Sequence, residues 1–437
     1  MIVELNEDDI ATVRHILNEA SKLRVDWSKF DDEVRSGVAL CKEIGKFGYE
    51  AYIVGGCVRD IVLWQKGGCK GEPSVHDVDI ATNMPIDELY SKFKCASNNG
   101  EAHGTILVIY DGIAFEVTQF RTDGEYLDGR RPDSVAFTKS FEGDTARRDF
   151  TINAMGIDAD GNLIDYHGGE QDLENGILRT VGDAKQRFGE DALRIIRALR
   201  FAARFGMDID RNTLAGIDAI KGNLSKVAKE RIGAELKKTA EYGAKQFARV
   251  VELIASTRIN EVIDPAGVVD WDAAVVRTKR RSESNNGEYD KDVRASLGCL
   301  LYGADLVEAA KLFRLENDLV RALNWCYGNL SNYSNLGSDL VESVKLVTNS
   351  NFDLLDYIYP FITGNRRVNS ERIDSMIDLA DKVLPHSKEL SRAITDAGFK
   401  GVDFGSALKE LSNWYYKQVA NNKIPSNEDI EKFVGTL

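Results

Sequence analysis

The chain has 437 residues, 43% hydrophobic and 29% charged, with a formal net charge of −14. That is the composition of a globular protein of roughly two to four domains, and no apolar run approaches the roughly 20 residues that a membrane span needs. The acidic balance argues against a nucleic-acid partner for the chain as a whole, yet residues 179–249 hold 16 Lys/Arg against 9 Asp/Glu, so a phosphate-binding segment survives inside an acidic protein. The six cysteines (Cys41, Cys57, Cys69, Cys95, Cys299, Cys326) form no C-x-x-C pair and have no partnered histidines. Free thiols in a reducing compartment are expected, with neither a disulfide framework nor a zinc site. The acidic, amphipathic start MIVELNEDDIATVRHILNEA is unlike a signal peptide, and the expected location is cytoplasmic.

Residues 1–50 read as helical, with Ile10, Val13 and Ile16 at helical spacing. AYIVGG (51–56) is a short strand ending in two glycines, and CVRDIVLW (57–64) resumes a helical pattern. A Gly/Lys-rich loop, QKGGCKGEPS (65–74), leads to HDVDIAT (76–82), read as a strand. Residues 104–121 hold two strand-like runs joined by Asp111-Gly112, a hairpin signal, and a second Asp-Gly at 160–161 predicts another hairpin. From about Gly176 strand signals vanish. The rest reads as helices separated by polar breaks at 279–292 and 328–339, expected to be exposed loops. The expected fold class is α+β, a mixed α/β head with a small sheet followed by all-helical regions.

The chemistry concentrates in a few stretches. In an extended strand Asp77 and Asp79 would project from the same face, and like charges held that close call for a cation. Alone, such a pair is better explained as the solvated end of a strand. Beside it, Gly55-Gly56 between strand and helix lets a backbone approach a ligand and aims helix N–H groups at an anion, with Arg59 one turn in. Paired carboxylates next to a phosphate cradle follow the logic of nucleotidyl transfer, in which they hold Mg²⁺. Glu116 is the candidate third carboxylate. RRDFTINAM (147–155) gathers Arg147, Arg148, Asp149 and Asn153, and YLDGRRPDSV (126–135) has the composition of a mobile segment over a site. In EDALRIIRALRFAARFG (190–206), read as one helix, Glu190, Arg194, Arg197, Arg200 and Arg204 share an arc of about 120° opposite the apolar residues. Asp191 and Glu190 stand about one turn before Arg194, and a guanidinium held by a carboxylate can read the edge of a base.

In their order, GGCVRD (55–60), DVDIAT (77–82), DGRRPDSVAF (128–137), RRDFTINAM, DYHGGEQDL (165–173) and EDALRIIRALRFAARFG resemble the class II tRNA nucleotidyltransferases, the CCA-adding enzymes, which share a polymerase-β-type fold with bacterial poly(A) polymerases. The resemblance covers roughly residues 50–240. It implies domains at 1–50 (a helical extension), 51–170 (catalytic head), 171–240 (base-recognising neck) and 241–437 (helical body and tail that bind tRNA). It also implies Mg²⁺ on Asp77 and Asp79; Glu116, a candidate third catalytic carboxylate from its place on a neighbouring strand, is as well explained as a solvated hairpin residue. Gly56 and Arg59 would contact the incoming nucleotide; Arg147, Arg148, Asp149 and Asn153 would bind its phosphates and ribose. Asp191 and Arg194 would act as an amino-acid template for CTP and then ATP, with Glu190, Arg197 and Arg200 around them, and the loop at 126–135 would switch C for A. The partners implied are CTP, ATP and the acceptor arm of tRNA, with no DNA and no membrane.

Three departures from the pattern stand out. The stretch from Gly56 to Asp77 is longer than usual, residues 1–50 have no assigned role, and no His-Asp metal-hydrolase signature follows the head. The alternatives are an enzyme that adds only A, a poly(A) polymerase, and an RNA-binding protein without catalysis. AHGTILVIYDG (102–112) lacks the arginine-rich stretch of the polymerases, and both metal carboxylates are intact.

Overall fold

The computed structural model describes residues 23–67, 77–96, 104–123, 135–284 and 290–437. The chain divides into two units, residues 1–235 and 236–437. Three sequence expectations lie wholly or largely outside the described residues: the helical pattern of 1–22, the Gly/Lys-rich loop through 68–76, and the basic loop through 124–134.

In the first unit, α1 (Asp32–Lys46) starts where the Asp31 carboxylate accepts from Val34 N. It buries Val34, Val38, Cys41 and Ile44, the i, i+4, i+7, i+10 stripe of an amphipathic helix. Strands β1 (Ala51–Val54), β2 (Asp79–Thr82), β3 (Lys94–Ala96), β4 (Thr105–Tyr110) and β5 (Ile113–Gln119) follow. A separate ribbon pairs β6 (Arg121–Asp123) with β7 (Val135–Phe137), and β8 (Met155–Ile157) and β9 (Leu163–Asp165) complete the main sheet. Its order is β3-β4-β5-β2-β1-β8-β9, with β2 and β5 the parallel pair. Helices α2 (Gly56–Gln65), α3 (Ile86–Lys92), α4 (Phe141–Ala146) and α5 (Gly169–Asn175) connect these strands.

Both Asp-Gly signals mark hairpins. Asp111 (φ 51°) and Gly112 (φ 81°) take the two left-handed positions that a tight β4–β5 turn requires. In the β8–β9 turn the Asp158 carboxylate accepts from Asp160 N and Asn162 N, and Gly161 O accepts from Val25 N at 2.8 Å. A Cβ on Gly161 (φ +87°) would lie 2.3 Å from Val25 O. Gly161→Ala is therefore expected to cost about 2 kcal/mol in urea unfolding, through strain and loss of the Val25 seam. An unchanged midpoint would mean that the segment around Val25 can leave the sheet freely.

Four sequence expectations are corrected here. The strand begins at Asp79, and Asp77 precedes it in the left-handed region (φ 59°), so the two carboxylates do not share a regular strand face. After Gly176 a two-residue parallel pairing persists between β10 (Ile177–Leu178) and β11 (Asp208–Ile209), too short to leave a periodic signal. The supposed single helix 190–206 is two: α6 (Ala184–Glu190) ends, Asp191 is extended, and α7 (Leu193–Phe205) begins. The break occurs because the Asp191 carboxylate accepts from Leu193 N, as a capping residue does, although helical periodicity runs straight through it. Lastly, 328–339 is no exposed loop throughout. Leu330–Ser334 is a helical turn that buries Tyr333, whose hydroxyl bonds Asp356 and accepts from Val368 N.

The second unit is all-helical among its described residues. Its core includes Trp271, Phe313, Leu323, Ile358, Leu411 and Tyr415. The buried Arg277 and Arg281 fasten helix Trp271–Ser282 to helix Val293–Leu301: Arg277 donates to Cys299 O and Leu300 O, and Arg281 donates to Ser296 Oγ. Among the described residues no helix is long and apolar enough to cross a membrane. The α+β head followed by helices matches the expected fold class.

Candidate active site

Strand β1 ends at Val54, opposite Asp79 on β2, and Gly55 (φ +78°) turns the chain into α2. A Cβ at Gly55 would lie 3.3 Å from Asp79 Oδ2 and 4.0 Å from Arg148 Nη1, so both side chains reach the bare glycine backbone. Glu116 is in register with Asp79 on the neighbouring parallel strand. The carboxyl of Asp79 is pushed up to about 6, first by burial, then by Glu116 and Asp77, with Arg148 opposing. The structure thus brings Glu116 and Asp77 close enough to Asp79 to disfavour its charge, and a carboxylate so placed suits a hard divalent cation. Among the described residues no three His, Cys, Asp or Glu side chains form a finished ion cage. An ion here would be held through one or two carboxylates, its other ligands coming from water or substrate phosphates, as Mg²⁺ favours.

Next to the carboxylates stands a pair of arginines on one buried acid. Arg147 Nη2 donates to Asp144 Oδ1 at 2.8 Å, and Arg148 Nη2 to Asp144 Oδ2 at 3.1 Å. Burial raises the Asp144 carboxyl, but Arg147 and Arg148 outweigh it and hold the group below the usual carboxylate range. Asp149 is governed by the same balance. Burial raises it, while Arg197, which donates to Oδ2 at 2.9 and 2.6 Å, and Asn153 Nδ2 at 3.1 Å bring it below the usual range. Arg59 is only 4% exposed: its Nη1 donates to Asn153 Oδ1 at 2.7 Å, Nε donates to Asp60, and the guanidinium lies 4.7 Å from the Phe205 ring centroid. Arg59 thereby fixes the Asn153 side chain. Gly56 opens α2 next to this group.

Arg194 Nη1 donates to Glu190 Oε2 at 2.7 Å and to Arg187 O at 3.2 Å, and Nη2 donates to Arg147 O at 3.3 Å. Glu190 therefore holds Arg194 across the helix break. Asp191 is held instead by Arg231, with Nη1 to Oδ1 at 3.3 Å and Nη2 to Oδ2 at 2.7 Å. Arg200 is 5% exposed and ion-paired with buried Glu235, inside the packing. One hydrogen-bonded network runs from Arg148 through Asp144 to Arg147, Arg194 and Glu190, and Asp79 lies near enough to Arg148 to feel its charge.

The residues that sequence reasoning missed are Asp144, Arg231 and Glu235. Asp144 had a local signal, since it stands three and four residues before Arg147 and Arg148 in DTARR, the helical spacing of an ion pair. Arg231 and Glu235 lie 40 and 35 residues from their partners and had none.

Residues 51–179 match the family described as the Poly A polymerase head domain. A CCA-adding enzyme of Geobacillus thermodenitrificans is 43% identical over 204 residues, 47% of this chain and 48% of that protein. One from Lactobacillus johnsonii is 44% identical over 203 residues, 46% of this chain and 49% of the relative. The sequence match thus spans about half the length of these curated relatives. Among solved structures, the Bacillus stearothermophilus CCA-adding enzyme in complex with CTP superposes with a TM-score of 0.64 at 24% identity, covering 93% of this chain and 98% of that one. The Thermotoga maritima CCA-adding enzyme complexed with tRNA gives 0.59 at 20% identity, covering 95% and 99%. These structures establish the fold across both units, each of which has counterparts there.

Proposed function

We propose that this chain, whose residues 51–179 match a poly A polymerase head domain, is a nucleotidyltransferase that adds CCA to the 3′ end of tRNA from CTP and ATP without a nucleic-acid template. The observation that carries it is the hydrogen-bonded network from Arg148, beside Asp79, through Asp144 and Arg147 to Arg194, because on this reading it links phosphate binding to base reading within one unit. The tRNA 3′-hydroxyl attacks the α-phosphate in line, an O–P bond forms, and pyrophosphate leaves with the electron pair. Asp77 and Asp79 would hold the divalent cation, Mg²⁺ on this reading, which when bound neutralises triphosphate charge and eases loss of the hydroxyl proton. Arg147 and Arg148, aligned by Asp144, set the triphosphate, while Asn153, locked between Arg59 and Asp149, faces the ribose. The domain reading is a head to about 170, a neck to about 240 and a tRNA-binding body and tail beyond, with action in the cytoplasm.

Base choice follows from hydrogen-bond polarity. Cytosine and adenine both present an exocyclic amine, which a carboxylate accepts, beside an acceptor that a guanidinium serves; uracil and guanine reverse this edge. Arg194 commits three donor contacts to Glu190, Arg187 and Arg147, and its five N–H groups leave donors over for a base. Asp191 keeps lone pairs beyond those used by Arg231 and Leu193 N. Asp191→Ala or Arg194→Ala should therefore reduce discrimination of CTP and ATP against UTP and GTP by about tenfold, since each buried mismatch is worth on the order of 1–3 kcal/mol. Arg231→Lys, which cannot hold both Asp191 oxygens, should show a weaker form of the same defect. Competition assays with all four nucleotides decide it, and unchanged selectivity would remove the template role.

The function itself is tested by incorporation of labelled CTP and ATP, separately and together, into tRNA lacking its last three, two or one nucleotides. Addition of C, C and A that then stops supports the reading. An untemplated A-tail makes the chain a poly(A) polymerase, and transfer of A alone makes it a partial enzyme.

A further inference from the structure

Helix α7 carries Arg197 and Arg204 seven residues apart, two turns along one face. Both lead back to the same amide. Arg197 donates to Asp149 Oδ2, and Asp149 Oδ1 accepts from Asn153 Nδ2 at 3.1 Å. Arg204 Nη2 donates to Asp60 Oδ2 at 3.4 Å, Asp60 Oδ1 accepts from Arg59 Nε at 2.8 Å, and Arg59 Nη1 donates to Asn153 Oδ1 at 2.7 Å. Six polar side chains thus form a circuit that starts and ends on α7. Two phenyl rings of α7 steady it: Arg59 and Arg204 each lie 4.7 Å from the Phe205 centroid, and Arg59 and Arg197 each lie 5.4 Å from that of Phe201. Asn153 is the neutral member. A guanidinium only donates and a carboxylate only accepts, so the amide satisfies both neighbours in one orientation, oxygen to Arg59 and nitrogen to Asp149. That leaves the second Nδ2 hydrogen, in a fixed direction, for a further acceptor.

We propose that Asp60 and Arg204 are positioning residues for sugar recognition: acting through Arg59, they hold the Asn153 amide with its nitrogen toward a hydroxyl of the nucleotide's ribose. The proposal rests on the functional reading above and adds to it the residues that set the preference for a ribonucleotide. Asp60 is the joint of the circuit, since one carboxylate serves the buried Arg59 and the half-buried Arg204. Without it the two guanidiniums lose the anion they share, Arg59 shifts, and the amide is free to turn its oxygen toward the sugar. Asp60 and Arg204 are 32% and 30% exposed, so either can be replaced without opening the core. The competing account is that the circuit only fastens α7 to α2. That account predicts a lower thermal midpoint and an intact sugar preference.

The test is Asp60→Ala in the full chain, read by binding of CTP, 2′-deoxy-CTP and 3′-deoxy-CTP with Mg²⁺ present, by steady-state CCA addition and by thermal unfolding. The parent's preference for CTP over the analogue that lacks the recognised hydroxyl should shrink about fivefold, as for loss of one neutral hydrogen bond. KM for CTP should rise by a similar factor, with kcat changed by less than about twofold. Arg204→Met, which spares the Arg59–Asp60 pair, should show the same change in weaker form and serves if Asp60→Ala folds poorly; Arg204→Lys, which keeps a cation for Asp60, should restore most of the preference. In an Asn153→Ala background Asp60→Ala should alter the preference no further, because the amide it positions is gone. An unaltered preference with a lowered midpoint supports the fastening account and overturns the proposal, as does an Asp60→Ala effect of full size in the Asn153→Ala background. Equal binding of all three nucleotides by a parent that adds CCA overturns the proposal alone. A parent that prefers CTP but adds no nucleotide to tRNA, and loses that preference in Asp60→Ala, upholds the positioning and overturns the functional reading.

Discussion

Asp79→Asn should lower nucleotide incorporation by about a thousandfold or more, roughly 4 kcal/mol of transition-state stabilisation, while tRNA binding stays within about twofold. The substitution keeps the shape of the side chain and removes the charge that would meet the cation. Folding does not suffer, because burial, Glu116 and Asp77 already disfavour the ionised form of Asp79. The thermal midpoint should be equal to that of the parent or higher. Chelation of divalent ions should reproduce the loss in the parent and add nothing in the variant. Substantial incorporation by Asp79→Asn would sink the assignment of the carboxylate site.

Asp144→Asn should show the largest stability effect, about 3 kcal/mol. It removes the buried anion to which both Arg147 and Arg148 donate. Urea unfolding of the intact chain reads the loss as a shift in midpoint, and activity should fall with it because both arginines lose their alignment. A pH series gives a second, independent readout. Asp144 and Asp149 both have folded-state values held below their ordinary 3.8. Around and just below pH 4 these two groups therefore bind more protons in the unfolded chain than in the folded one, and their contribution to stability rises with pH there. Their contribution is present in full above about pH 5 and lost as pH falls through the lowered folded values. In Asp144→Asn the acid-induced loss should be shallower. An identical acid profile in parent and variant would show that Asp144 does not carry this linkage.

Much of the site was legible because its signals are local. The glycine pair after a strand, the D-x-D, the RRDF run and the arginine stripe are each formed by residues within a turn or two of one another, and short-range spacing dictates which side chains can act together. The Asp-Gly turns were legible for the same reason: few residues accept two successive positive φ angles. The failures share a physical cause as well. Asp77 and the break at Asp191 turn on single backbone conformations and caps, which hydrophobic periodicity does not register. Tyr333 is buried within a run of Ser and Asn, where local polarity favoured an exposed loop and packing against Tyr359 and Asp356 prevailed.

The sequence by itself determined the fold class, the strand–glycine–helix start of the head with its hairpins, and which carboxylates and arginines are candidates, because alternation, turn chemistry and charge spacing are properties of short segments. Only the tertiary structure decided the partners. It put Glu116 opposite Asp79 through strand register, locked Asn153 between Arg59 and Asp149, and divided the arginine stripe into Arg194 on Glu190, Arg197 on Asp149 and Arg200 on Glu235. A guanidinium's role depends on the acid that desolvation forces upon it, and that acid comes from wherever the folded chain brings one, here 48 residues away for Arg197 and 144 for Arg204, which pairs with Asp60.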